Sequence, residues 1–284
     1  MQEAFLRELF DNLWKRYRGR VEWARRHEAL EPSFVNDHVA FRTIAWQRPE
    51  SGIFSISRLF EALGYSCAGA YEFPDKKLSS RHYFRAGFPK IFISELKSWE
   101  LSAEARAALS RSLSKQRPGP DDDVLAGLAG LSRGASSALR GALMSRCVSF
   151  FAQRPWPAPE KRDVLRVDRE SQFGAWVLVH GFDVNHFTAD VADIEKAVER
   201  LRKDGVPMKA QIEGERGSPL RQSSTEAAVI PVDVCEDGQP ATMNWTYAYF
   251  ELAERPRRPD GTRFEGFHGP QATNLFDMTA FRKA

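Results

Sequence analysis

The sequence predicts an α+β fold in which two βαβββ units form a central mixed sheet around a shared cavity, with helices inserted between them. Three observations predict it. Strand-forming and helix-forming segments follow one another over residues 34–97 in the order β, α, β, β, β. The same order recurs over about 173–255. Between the two, residues 100–160 turn rich in Ala, Ser, Leu and Arg. The expected organisation is one domain over 1–284, comprising a first unit (about 34–97), a helical insert (about 100–160), a second unit (about 173–255) and a C-terminal segment (256–284).

Each element has a local reason. Phe5, Leu6, Leu9, Phe10, Leu13, Trp14 and Tyr17 recur at helical spacing, so residues 3–28 read as one amphipathic helix. A strand follows at 35–45, then a loop with Pro49 and Gly52, then a helix from Ile53 to Leu63 closed by Gly64. Strands at 65–73, 81–86 and 90–96 complete the first unit. The insert reads as two or three helices broken at Pro118-Gly119-Pro120 and Pro155-Trp156-Pro157. Asp121-Asp122-Asp123 reads as a helix start, where carboxylates favour the dipole, rather than as a metal site. In the second unit, strands are expected at 174–180, around Asn185-His186-Phe187-Thr188, and near 208–213, 226–232 and 245–254. A helix from Asp193 to Asp204, stopped by Gly205, lies among them.

Composition narrows the function classes. The chain has 284 residues, 42% hydrophobic, which is enough for a substantial core. Its 41 basic and 38 acidic side chains nearly balance at +3, which gives no basis for a nucleic-acid partner. No apolar run approaches the ~20 residues that cross a bilayer. The N-terminus carries early acids and no apolar signal core, so no membrane association and a cytoplasmic location are expected. Cys67, Cys147 and Cys235 are too few and too widely spaced for a disulfide framework or a thiolate zinc site.

Three strand-like segments each carry one candidate metal ligand: His38 in 36–42, His186 in 184–188 and Glu251 in 247–252. Two imidazoles and one carboxylate are the set with which non-haem Fe(II) oxygenases hold their metal on one side and leave the other open. Each residue also has a plainer reading. A lone histidine in a strand fits a hydrogen-bonded core residue, and Glu251 fits a wet sheet face. Placement favours a shared site, because His38 and His186 lie in the first strands of their units and Glu251 in the last strand of the second. Strand alternation puts His38, Ala40 and Arg42 on one face, with His38 and Arg42 ~13 Å apart along the backbone. Arg42 is long enough to reach back toward an anion held at His38, so an acid with two charged ends would be gripped at both. Asn185 is expected to orient His186. Glu95 is the main competing ligand, with His180 and His82 behind it.

At these residues the chain resembles the 2-oxoadipate dioxygenase/decarboxylase family, related to the vicinal oxygen chelate superfamily and more distantly to 4-hydroxyphenylpyruvate dioxygenase. The segments Asp37–Thr43, Gly181–Thr188 and Tyr249–Arg255 carry the resemblance. It implies that His38, His186 and Glu251 bind Fe(II) and that Arg42 is a catalytic residue that binds the 2-oxo acid. It also implies that Leu220–Ser224, with Gln222 and Ser223, lines the pocket, and that Pro270 and Gln271 stand where a backbone segment meets the far carboxylate. The chain departs from the family's pattern around the ligand glutamate. Glu251 is preferred to Glu254 because it lies within the aromatic strand. The implied reaction joins a 2-oxo dicarboxylic acid and O2, taking 2-oxoadipate to 2-hydroxyglutarate plus CO2. Two alternatives stand beside it: a non-redox isomerase or lyase of the vicinal oxygen chelate type, with Glu95 as a fourth ligand, and a non-enzymatic small-anion-binding protein.

Overall fold

A computed structural model describes residues 1–266 and 276–279. The N-terminal amphipathic stretch forms two helices rather than one, α1 (Gln2–Arg18) and α2 (Glu22–Leu30). The break falls at Gly19–Val21, where Val21 turns extended to start α2. Phe5, Leu6, Leu9, Leu13 and Tyr17 make the buried stripe of α1. The first unit then runs β1 (Val35–Gln47), the two-residue β2 (Glu50–Ser51), α3 (Ile53–Ala62), β3 (Ser66–Phe73), β4 (Leu78–Phe84) and β5 (Lys90–Lys97). The insert supplies α4 (Ala103–Leu113), α5 (Asp122–Gly130) and α6 (Ser137–Ala152). Asp121 does cap a helix there, accepting from Val124 N at 3.0 Å.

Two further helices follow, α7 (Lys161–Asp168) and α8 (Gln172–His180). The strand expected at 174–180 is therefore a helix. Its residues Phe173 to His180 are all buried, so no polar face marks its period, and an all-apolar run reads equally as a buried strand. Ser171 caps it, accepting from Gly174 N. The second unit proper is β6 (Val184–Asp190), α9 (Ile194–Lys203), β7 (Arg221–Ser224), β8 (Val229–Glu236), β9 (Gln239–Thr246) and β10 (Glu251–Glu254). The strand expected at 245–254 is thus broken in two. At 247–250 backbone carbonyls are taken by side chains and loop amides: Tyr17 Oη donates to Tyr249 O, and Trp176 Nε1 to Tyr247 O.

One mixed sheet runs through both units in the order β3-β4-β5-β1-β6-β10-β7, with β2 beside β1. β1 and β6 meet antiparallel at the seam between the units, while β5 and β10 flank them in parallel. The sheet curls. Its outer face packs on α1, α3 and α6 through ring contacts such as Phe41 with Phe60 and Phe151, and Phe187 with Tyr17. α8 covers one end of the inner face, where Gly174 lets it approach Leu96 of β5. β8 and β9 form a separate hairpin turned at Asp237-Gly238, both at positive φ as a two-residue turn of this kind requires. Among the described residues no helix is long and apolar enough to cross a membrane.

Candidate metal centre

Register brings the site together. His38 of β1 lies beside Thr188 of β6, Thr188 beside Glu251 of β10, and Glu251 beside Ser224 of β7. The next row of the inner face holds His82, Phe92, Ala40 and His186. Ligand atoms of His38, His186 and Glu251 all lie within 4.8 Å of one another and could hold a metal ion. His38 Nε2 is 3.8 Å from Glu251 Oε1, and His186 Nε2 is 3.7 Å from Glu251 Oε2. All three side chains are buried.

Two β-bulges aim the imidazoles. The pairing of β1 with β6 shifts once between Asn36 and His38, and once between Ala40 and Phe41. The residue gained on β1 is Asp37, and the one gained on β6 is Asn185. A bulge turns an extra residue out of regular alternation. Here each such residue reaches the ring that follows it. Asp37 Oδ2 lies 2.8 Å from His38 Nδ1, and Asn185 Oδ1 lies 2.9 Å from His186 Nδ1. Both partners are acceptors, so each Nδ1 carries the proton and each Nε2 turns a lone pair to the centre. Thr188 Oγ1 stands 3.0 Å from His38 Nε2, and Tyr249 stacks on His186 at 4.6 Å.

The electrostatics suit a cation. Burial holds His38 down at about 4, against the opposing pull of Asp37. Burial, then His38 and Arg42, hold His186 well below its ordinary value. Both rings are therefore neutral ligands at neutral pH. Glu251 is pushed up to about 8 by burial first, then by Glu213. Among the described residues its Oε2 has no hydrogen-bond partner. A buried carboxylate so placed is costly without a counter-charge, and a metal ion supplies one at the point where both imidazole lone pairs converge. The donor set fits a divalent transition metal with open positions. Behind it, Asp37 also binds Lys90 Nζ at 2.9 Å and Arg255 Nε at 3.1 Å. Burial works to raise Asp37, but Arg255, His38 and Lys90 outweigh it and hold the carboxylate ionised, well below its usual range.

Residues 8–262 match the 2-oxoadipate dioxygenase/decarboxylase family. The chain belongs to that family. A relative from Oryza sativa subsp. japonica, the chloroplastic/amyloplastic 2-oxoadipate dioxygenase/decarboxylase, is 25% identical over 98% of this chain and 79% of its own length. The chloroplastic enzyme of that name from Arabidopsis thaliana is 27% identical over 86% of this chain and 67% of its own. Among solved structures, a putative glyoxalase superfamily protein from Ralstonia eutropha JMP134 superposes with a TM-score of 0.85 at 23% identity, covering 94% of this chain and 87% of that one. Hydroxyglutarate synthase from Oryza sativa, solved in complex with 2-oxoadipate, superposes at 0.78 with 25% identity, covering 98% and 93%.

Within this family member the other expected site residues fare unevenly. Arg42 lies on the inner face as alternation requires. Its guanidinium sits over Phe173 and Trp176 and donates to Thr279 Oγ1 at 2.6 Å and Phe276 O at 3.2 Å. Gln222 shares the inner face with Ala253 and donates to Glu213 Oε2 at 3.0 Å. Ser223 pairs with Leu252, so it turns to the opposite face from Glu251, and the serine beside the glutamate is Ser224. Pro270 and Gln271 lie outside the described residues. Glu95 is not part of the triad. It pairs with Thr43 on the outer face and accepts from Ile53 N at 2.7 Å, at the start of α3. The position in the first unit that matches Glu251 is Phe92. It lies beside Ala40, two residues after His38, as Glu251 lies beside Thr188, two residues after His186. His180 is on α8, hydrogen-bonded to Thr246 O at 2.8 Å. His82 stacks on Phe92 and pairs with Tyr71 Oη at 2.9 Å.

Sequence reading missed Asp37, Thr188, Lys90 and Arg255. Asp37 had a usable signal, since Asp37-His38 repeats the polar-then-His order of Asn185-His186. The two cations converge on Asp37 from distant β5 and the segment after β10, and carry no local mark.

Proposed function

We propose that the protein is an Fe(II)-dependent dioxygenase that decarboxylates and hydroxylates a 2-oxo acid, converting 2-oxoadipate and O2 to 2-hydroxyglutarate and CO2. The observation that carries this is the buried His38–His186–Glu251 triad, with each Nδ1 engaged and each Nε2 turned inward. Membership of the family supports the reaction class, and the 2-oxoadipate held by the rice structure supports the substrate.

When bound, a ferrous ion would be chelated by the 2-oxo acid and would activate O2, with the electrons that reduce O2 coming from the acid itself. The chain's own residues do the rest. His38 and His186 hold the ion as neutral donors, and Glu251 cancels one of its charges. Phe92, which offers no donor atom, stands where a fourth ligand would, so the first unit would leave its side of the site to substrate and O2. This also argues against the four-ligand arrangement of a non-redox isomerase. Arg42 neutralises the substrate, and the Phe173 and Trp176 rings hold its guanidinium in place. Burial of the whole row excludes water from the reacting carbon.

The test is anaerobic incubation of Fe(II)-loaded protein with 2-oxoadipate. No product is expected until oxygen is admitted, and CO2 and 2-hydroxyglutarate should then appear in equal amounts. Turnover without oxygen would reject the dioxygenase reading in favour of isomerase or lyase chemistry.

A further inference from the structure

The segment after β10 folds back over the sheet. Residues 255–266 turn at Arg258–Thr262 and cross the end of the inner face that carries His38. Three anchors mark the crossing. Arg263 grips Asp190 of β6 through two bonds, at 2.7 and 2.8 Å. Glu265 Oε2 lies 2.6 Å from Nζ of Lys90, which is level with His38 on β5. Gly266 lies so close to Tyr71 of β3 that a Cβ there would stand 2.5 Å from its Oη. The strap therefore starts in the second unit, spans the seam of β1 and β6, and ends against the outermost strand of the first.

Two of its ties meet on one carboxylate. Lys90 Nζ, which holds Glu265, also donates to Asp37 Oδ1 at 2.9 Å. Arg255 donates from Nε to Asp37 at 3.1 Å, and from Nη1 to Phe264 O at 2.8 Å and Gly266 O at 3.2 Å. Asp37 in turn accepts from His38 Nδ1 at 2.8 Å. A chain of contacts thus runs from Glu265 through Lys90 and Asp37 to His38, with the Arg255 fork beside it. The inner side chains are buried, so solvent screens their charges little. Glu265, at the outer end, is 39% exposed.

Nδ1–H of His38 becomes a stronger donor to Asp37 when Nε2 holds a cation, because linked hydrogen bonds polarise one another. Asp37 is then fixed more firmly where Lys90 and Arg255 meet it, and those two hold the strap. Linkage makes the effect mutual: a latched strap favours the ion by the factor with which the ion favours latching. We propose that Glu265 is a positioning residue for the metal centre, acting through Lys90 and Asp37 on His38, and that it couples closure of the 255–266 strap to metal binding. This rests on the reading that the triad holds a metal. The partly exposed Glu265–Lys90 pair limits the coupling to about threefold.

Anaerobic Fe(II) titration against a competing chelator tests it, together with backbone amide exchange over 259–266 with and without Fe(II). In the wild-type protein Fe(II) should slow exchange at Glu265 and Gly266 about threefold. Glu265→Gln keeps the shape and removes the charge. It should weaken Fe(II) binding about threefold, abolish the Fe(II)-dependent slowing, and leave the metal-free melting temperature unchanged. Lys90→Met cuts the chain at its buried link and should weaken Fe(II) further, about tenfold. Asp260→Asn is the control: Asp260 accepts from Thr262 N at the exposed turn, off the chain of contacts, and its loss should change neither readout. Unchanged Fe(II) affinity in Glu265→Gln, or wild-type strap exchange indifferent to Fe(II), overturns the proposal. Failure of the underlying reading has a different signature: the wild-type protein takes up no stoichiometric Fe(II), and the proposal falls with it.

Discussion

Replacing Asp37 with alanine should separate two roles that one carboxylate performs. Asp37 touches His38 Nδ1 at 2.8 Å, Lys90 Nζ at 2.9 Å and Arg255 Nε at 3.1 Å. The side chains of Asp37, Lys90 and Arg255 are 2%, 8% and 2% exposed, so solvent screens these pairs little. Lys90 keeps Glu265 at 2.6 Å, and Arg255 keeps the carbonyls of Phe264 and Gly266, so neither cation is wholly stranded. Removing one partner from a buried ion pair costs about 3–5 kcal/mol, and the lower end applies here. Separately, the imidazole loses the group that fixes its tautomer and angle, which lowers metal affinity by ~10–100-fold. Equilibrium urea unfolding of the metal-free protein measures the first effect, and Fe(II) titration against a competing chelator measures the second. Asn185→Ala is the control. It removes the matching partner of His186 with no buried cation attached, so its stability loss should be near 1 kcal/mol while its metal affinity falls similarly. A loss below 1 kcal/mol in Asp37→Ala would refute the buried-charge argument. Metal affinity within twofold of wild type in both variants would refute the orientation argument.

Four further outcomes are expected. Glu251→Gln should lose bound iron, measured as metal content after desalting, without lowering the metal-free melting temperature, since a neutral amide replaces a buried carboxylate oxygen that has no hydrogen-bond partner among the described residues. His27 is held down at about 4 by burial, so its unfolded form binds the proton first. The stability this contributes is present above about pH 6.5 and lost as the pH falls toward 4, by about 3 kcal/mol; His27→Phe should flatten that acid limb in pH-dependent unfolding. Gly174→Val should destabilise by ~1–3 kcal/mol, read as a lower melting temperature, because even a Cβ at that point would stand 2.7 Å from Leu96 and 3.0 Å from Val167. Phe92→Glu should keep iron but suppress oxygen consumption by filling the open side with a fourth ligand.

The three candidate ligands, which the fold brings together, stood out in sequence because an ionisable residue inside a β-forming run is rare without a reason. The first unit was legible because its helix is amphipathic and its strands are bounded by Gly64 and Pro74. α8 was hidden by being buried on every side, although Ser171 as its cap was a signal in plain view. Glu95 stood out as a competing ligand because a place counted from the end of its strand ignores register. The ladder aligns Phe92 instead, and side-chain alternation then turns Glu95 to the outer face. Ser223 likewise lies one residue of register away from Ser224, on the face opposite Glu251.

The seam between β1 and β6 has a thermodynamic consequence. One candidate ligand comes from the first unit and two from the second, so an ion held at the centre would rivet the junction. Its binding free energy would add to the cohesion of the two halves. Chelation should therefore loosen the molecule unevenly, with faster backbone amide exchange along β6 and β10, while the remote ladder of β3 and β4 keeps its protection.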